Sequence, residues 1–178
     1  MEFWKRLMRS SESVNQEQVT PTPNLVTTPV SPRSAPSLLD ENDVIRAVAN
    51  WLQANGYQVI QSLTTNQHGV DIVARMQGTE PYELHIEAKG ATSSKRGTSR
   101  DGVGFSDSQQ LDHISKAIYA CMKAYSGQRE RGWQKREVGI ALPVTVFHER
   151  HISRIRPALT QFGIRVYWVK PNGDVYVE

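Results

Sequence analysis

A chain of 178 residues suits one domain with a real core and a tail. Its 21 Lys and Arg against 18 Asp and Glu leave a net charge of +3, which permits a nucleic-acid partner without requiring one. The single cysteine, Cys121, excludes an intramolecular disulfide and a cysteine-based zinc site. No apolar run approaches the roughly 20 residues of a membrane span. No apolar stretch follows Lys5, Arg6 and Arg9 as a secretory leader would require. The cytoplasm is the expected location.

The chain begins "MEFWKRLM", where Phe3/Leu7 and Trp4/Met8 are i,i+4 pairs opposite Lys5, Arg6 and Arg9. Residues 1–9 read either as a short helix docking on a membrane surface or a protein partner, or as a frayed start. Five of the nine prolines (Pro21, Pro23, Pro29, Pro32 and Pro36) follow among Ser, Thr, Asn and Gln. Such a segment buries too little apolar surface to offset its ordering entropy. Residues 1–36 are therefore expected to be a disordered tail, and residues 37–178 the domain.

"SLLDENDVIRAVANWLQANG" predicts a helix, capped by Ser37 or Asp40 and ended at Gly56, with Val44, Ile45, Val48 and Leu52 buried. "YQVIQSL" is a predicted strand, followed by a hairpin within 69–90. Residues 90–105 form a Gly/Ser-rich basic loop. Ser106 or Asp107 starts a second helix, with Leu111, Ile114, Ile118, Cys121, Met122 and Tyr125 on one side. A charged connection leads to the strand "EVGIALPV". "FHERHISRIRPALTQFG" is helical, with a break or restart expected at Pro157. "IRVYWVK" and "DVYVE" make a terminal hairpin around Asn172-Gly173.

The stretch "GVDIVARMQGTEPYELHIEAKG", folded about Thr79, pairs Met76 with Tyr82, Ala74 with Leu84, Ile72 with Ile86 and Val70 with Ala88 on one apolar face. On the other face Arg75 meets Glu83, a favourable pair, but Asp71 meets Glu87. Opposed like charges need compensation, and a divalent cation such as Mg²⁺ takes oxygen ligands. Lys89 then serves as a fixed positive charge beside it. A solvated hairpin face with alternating charges is the plainer alternative.

"GVDIV" followed by "HIEAKG" resembles the PD-(D/E)XK, or restriction-endonuclease-like, nuclease superfamily over roughly residues 38–169. With Val70 in place of the proline of the family's name, the ligand positions are intact. The resemblance implies an α/β fold: a mixed central β-sheet flanked by helices, to which this chain adds its C-terminal β-hairpin. It implies Mg²⁺ or Mn²⁺ held by Asp71 and Glu87, with the Ala88 carbonyl as a third ligand. Lys89 would orient or help deprotonate the attacking water. Glu41 lies on the core-facing stripe of the first helix, where relatives place an acid near the metal; it reads equally as a first-turn acid facing the helix dipole. Gln110-Leu111 resembles the glutamine-leucine pair of RecB-like members, so Gln110 either touches a phosphate or water, or is a solvated flank.

Lys95, Arg96 and Arg100 in the loop after Lys89 are candidate contacts to a nucleic-acid backbone, and more weakly so are Arg129, Arg131, Lys135 and Arg136. His113, His148 and His151 read as surface histidines; "HERH" does not match H-E-x-x-H zinc spacing. No G-x-x-x-x-G-K-[ST] loop is present. The expected function is metal-dependent hydrolysis of DNA, with RNA as an open alternative and a homodimer as an arrangement seen in relatives. Two other readings stay open: a non-catalytic module of the same fold that binds nucleic acid or protein, and an accessory subunit tethered through its tail.

Overall fold

The computed structural model describes residues 38–178 apart from Asn66, Arg96, Thr98, Arg100 and Asp101. The expectations for residues 1–36, the Ser37 cap, Arg96 and Arg100 lie outside the described residues. Helix α1 (Glu41–Ala54) starts with a reciprocal cap: Asp40 accepts from Asp43 N at 2.9 Å, and Asp43 accepts from Asp40 N at 3.3 Å. Its buried stripe is Val44, Ile45, Val48, Ala49 and Leu52. Just past its end, Gly56 takes a φ of 83°, which favours glycine.

Six strands form one mixed sheet in chain order. They are β1 (Gln58–Ser62), β2 (Ile72–Met76), β3 (Tyr82–Ala88), β4 (Lys135–Pro143), β5 (Ile164–Val169) and β6 (Val175–Val177). The pairs β1–β2, β2–β3 and β5–β6 are antiparallel, whereas β3–β4 and β4–β5 are parallel. The parallel connections run through α2 (Asp107–Ser126) and α3 (Val146–Gln161). Alternation along the strands splits the core. Ile72, Ala74, Leu84, Ile86 and Ala88 pack with α1, while Val138, Ile140, Leu142, Val166 and Trp168 pack with α2 and α3. The fold is thus α/β, with helices on both faces and the expected C-terminal hairpin. No helix among the described residues is long and apolar enough to cross a membrane.

The β2–β3 register is the one expected, from Ile72 opposite Ile86 to Met76 opposite Tyr82. Three expectations are corrected. First, α2 turns Gln110, Ile114, Ala117 and Cys121 to the sheet, and leaves Leu111, Met122 and Tyr125 exposed. The 4-3-4 spacing of the smaller set faces the sheet, and the bulkier residues sit one position round the wheel. Second, α3 runs through Pro157 without a break. Pro157 and Ser153 are both exposed, so the proline and the residue whose carbonyl loses its helical donor lie on the solvent side of the helix. Third, His148 and His151 are buried rather than on the surface. His148 Nδ1 lies 3.1 Å from Pro143 O, and His151 Nε2 lies 2.6 Å from Asp107 Oδ1. Both sit on α3, which packs against α2 and β5, a tertiary placement the local pattern did not carry.

Candidate active site

The C-terminal end of β3 is where α1, β2 and the parallel strands meet, and parallel sheets use such ends to bind ligands. Gly90 makes the meeting close. A Cβ there would stand 2.5 Å from Glu41 N and 2.7 Å from Asp40 C, so only glycine lets the start of α1 cross the end of β3. That crossing delivers Glu41 to Lys89.

Asp71 stands one residue before β2, just beyond the last ladder pair. Its main-chain oxygen accepts from Leu63 N at 2.8 Å, and its Oδ2 accepts from Ala88 N at 2.7 Å. The aspartate therefore reaches across the hairpin to the backbone beside Glu87. Lys89 Nζ donates to Glu87 Oε1 at 2.8 Å and to the Ala88 carbonyl at 2.6 Å. It also lies 3.7 Å from Glu41 Oε2 and 4.0 Å from Asp71 Oδ2. Asp71, Glu87, Ala88, Lys89 and Glu41 are thus brought together. The cation compensating the opposed acids in this structure is Lys89 itself.

The electrostatics follow from partial burial and an excess of acid. Burial, with Glu87 beside it, pushes Asp71 up to about 6 against the Ala88 N–H and Lys89. Burial likewise raises Glu41, although Lys89 pulls it back. Burial opposes the charge on Lys89, but Glu41 and Glu87 hold its pKa above the ordinary value. With all three acids ionised, three carboxylates share one ammonium, and two negative charges stay uncompensated.

Hard oxygens from Asp71, Glu87 and the Ala88 carbonyl are the donor set that suits Mg²⁺ or Mn²⁺. Among the described residues, however, no group of three or more His, Cys, Asp or Glu side chains is set to hold a metal ion. The acids are spaced around an ammonium instead. Mg²⁺ commonly binds through one or two carboxylates with water and substrate phosphates, so a preformed cage is not a requirement.

Gln110 is buried rather than a solvated flank. It is 3% exposed, its Nε2 donates to Phe105 O at 2.9 Å, and its Oε1 accepts from Thr145 Oγ1 at 2.8 Å. Both ends of the amide are used to join the loop, α2 and the start of α3. The neck of that loop is tied by Phe105 N to Ala91 O at 2.8 Å and by Thr92 Oγ1 to Val103 O at 2.8 Å. Lys95 is exposed beyond the neck. His113 is half-buried against Phe105 at 4.7 Å between ring centroids. Arg136 is corrected outright: it is 8% exposed and donates to Glu83 Oε1 at 3.1 Å, so it is a core cation. A cavity of about 920 Å³ between α1 and the β5–β6 hairpin is lined by none of the acids at the end of β3.

Comparisons with protein-family models, curated proteins and solved structures found no match.

Proposed function

We propose that the chain is a divalent-cation-dependent nuclease that hydrolyses phosphodiester bonds of DNA. The observation that carries this reading is the meeting of Asp71, Glu87 and Glu41 around Lys89 at the end of β3, with an excess of two negative charges. The PD-(D/E)XK resemblance supplies the chemistry. Asp71, Glu87 and the Ala88 carbonyl would hold Mg²⁺ or Mn²⁺, which would polarise a phosphoryl oxygen and lower the pKa of water when bound. Lys89 orients the attacking water and stabilises charge developing on the phosphoryl oxygens. Water oxygen bonds to phosphorus as the bond to the 3′-oxygen breaks, leaving a 3′-hydroxyl and a 5′-phosphate. Lys95, Arg96 and Arg100 contact the nucleic-acid backbone.

A second reading has an observation of its own. Because Lys89 already bonds Glu87 and the Ala88 carbonyl, the same residues also suit a module that binds nucleic acid or a protein without cutting. Incubation of the full chain with DNA and RNA panels in Mg²⁺ and Mn²⁺ separates the two. Cleavage lost in Asp71→Ala supports the nuclease. Binding retained by both proteins without any cleavage supports the module.

A further inference from the structure

Lys89 stands on the groups that a divalent cation would use. Its Nζ lies 2.8 Å from Glu87 Oε1, 2.6 Å from the Ala88 carbonyl and 4.0 Å from Asp71 Oδ2. Mg²⁺ needs its oxygen ligands at about 2.0–2.1 Å, in near-octahedral array. An ammonium hydrogen-bonded to the same oxygens competes for their lone pairs and repels the incoming charge. Glu41 belongs to another element. It comes from α1, and its Oε2 stands 3.7 Å from Nζ, beyond hydrogen-bonding distance. The flexible four-carbon lysine stem can swing a short way towards it. Gly90 fixes α1 close enough for that carboxylate to receive the ammonium.

Resting on the cation-binding reading above, we propose that Lys89 is a built-in counter-cation which a divalent ion must displace, and that Glu41 holds the displaced ammonium. Glu41 is then a positioning residue. It sets cation affinity through Lys89 and leaves Lys89 beside the site. The resting protein keeps its acids neutralised in part without metal, and the loaded protein differs in the partner of one lysine.

Calorimetric titration of the full chain with Mn²⁺ tests this in four proteins: wild type, Lys89→Met, Glu41→Gln and the double variant. Lys89→Met should bind Mn²⁺ about tenfold tighter or more, the equivalent of removing one charge-assisted hydrogen bond from the competition. Glu41→Gln should bind more weakly than wild type, and this loss should disappear in the Lys89→Met background. Unchanged affinity in Lys89→Met overturns the displacement while leaving the metal site standing. A Glu41→Gln loss that persists without Lys89 overturns the role given to Glu41 and makes it a ligand. Absence of Mn²⁺ binding in all four proteins overturns both this inference and the metal-dependent reading. Should Lys89→Met fail to fold, the Lys89 side-chain resonance of wild type on adding Mg²⁺ decides: a shift supports displacement, and an unmoved resonance overturns it.

Discussion

Strand β3 carries two charged clusters on one face, roughly 13 Å apart at 3.3 Å per residue. At its start Glu83 is 3% exposed and saturated. It accepts from Arg75 Nε at 3.2 Å, Arg75 Nη2 at 3.1 Å and Arg136 Nη2 at 3.1 Å, with His85 Nε2 at 2.5 Å. Arg75 also pairs with Glu130 and lies over the Trp133 ring at 4.8 Å. Two arginines match two glutamates. At the end of the strand, three carboxylates share one lysine. The pKa shifts separate the clusters in sign. Burial works to raise Glu83, but His85, Arg75 and Arg136 hold it below the ordinary carboxylate range. Burial prevails at Asp71 and lifts it to about 6. The acid at the start of the strand has enough donors, whereas the acids at its end outnumber theirs.

The largest expected effect separates the clusters by activity. Asp71→Ala should lower the cleavage rate on the order of a thousandfold, the scale of losing a transition-state electrostatic contact. Glu83→Gln, measured per folded molecule, should leave the rate within a few-fold of wild type. Equal losses in both variants would erase the distinction between a reacting and a structural cluster.

Stability should reverse the ranking. Glu83→Gln takes the carboxylate from buried Arg136 and leaves it the Ala124 and Gln128 carbonyls, and breaking one partner of such a pair costs about 3–5 kcal/mol. Glu87→Gln without metal removes one acid from an over-supplied cluster and should cost about 1 kcal/mol or less, losing a Lys89 hydrogen bond but relieving repulsion. Urea denaturation of both variants in EDTA reads the difference. Cation binding gives the next effect. A ligand bound only by the folded state contributes about 2.7 kcal/mol at a hundredfold excess over its Kd. Millimolar Mn²⁺ should therefore raise the wild-type melting temperature and leave Asp71→Asn nearly unmoved. An unmoved wild type would remove the metal from the site.

Much of this contrast was legible in the sequence, because hairpin registry is a local property. Alternation from Val70 to Ala88 placed Ile72 opposite Ile86 and Arg75 opposite Glu83, as the ladder has them. It therefore brought Asp71 to Glu87 and Lys89. Arg136 was not legible as Glu83's partner, since 53 residues and a helix separate them. The burial of His148 and His151 depends on how α3 is rolled against α2 and β5, which "HERH" does not encode. Alternation puts Lys89 on the same side as Glu87, but that its Nζ folds back onto Glu87 Oε1 at 2.8 Å is a matter of side-chain conformation that the pattern does not encode. On α2, the bulk of Leu111, Met122 and Tyr125 drew the expected stripe away from the smaller Ala117 and the polar Gln110 that face the sheet.

The smallest effect is the pH dependence of the Asp71–Glu87 pair. An acid whose folded pKa lies above its unfolded value binds protons more readily in the folded state. Between an unfolded value of about 3.9 and the folded value of about 6 for Asp71, stability without metal should fall as pH rises, and stay lower above that window. His148 acts in the opposite sense. Burial pushes it down to about 4, so its contribution rises with pH from about 4 towards the ordinary 6.5. The wild-type curve mixes these slopes, and the difference between wild type and Asp71→Asn cancels His148. Asparagine retains an oxygen for the Ala88 N–H and removes the charge, but it forfeits the attraction of Lys89. In EDTA at pH 8, Asp71→Asn should be more stable than wild type by on the order of 2 kcal/mol, at roughly 1.4 kcal/mol per pKa unit, because the rise to about 6 already includes the attraction of Lys89. Below about pH 4 the advantage should vanish, because Asp71 is then protonated in both states. Urea melts of the two proteins at pH 4, 5, 6 and 8 provide the check. A difference flat across that range would mean that Asp71 is as well compensated as Glu83, and the two ends of β3 would be alike.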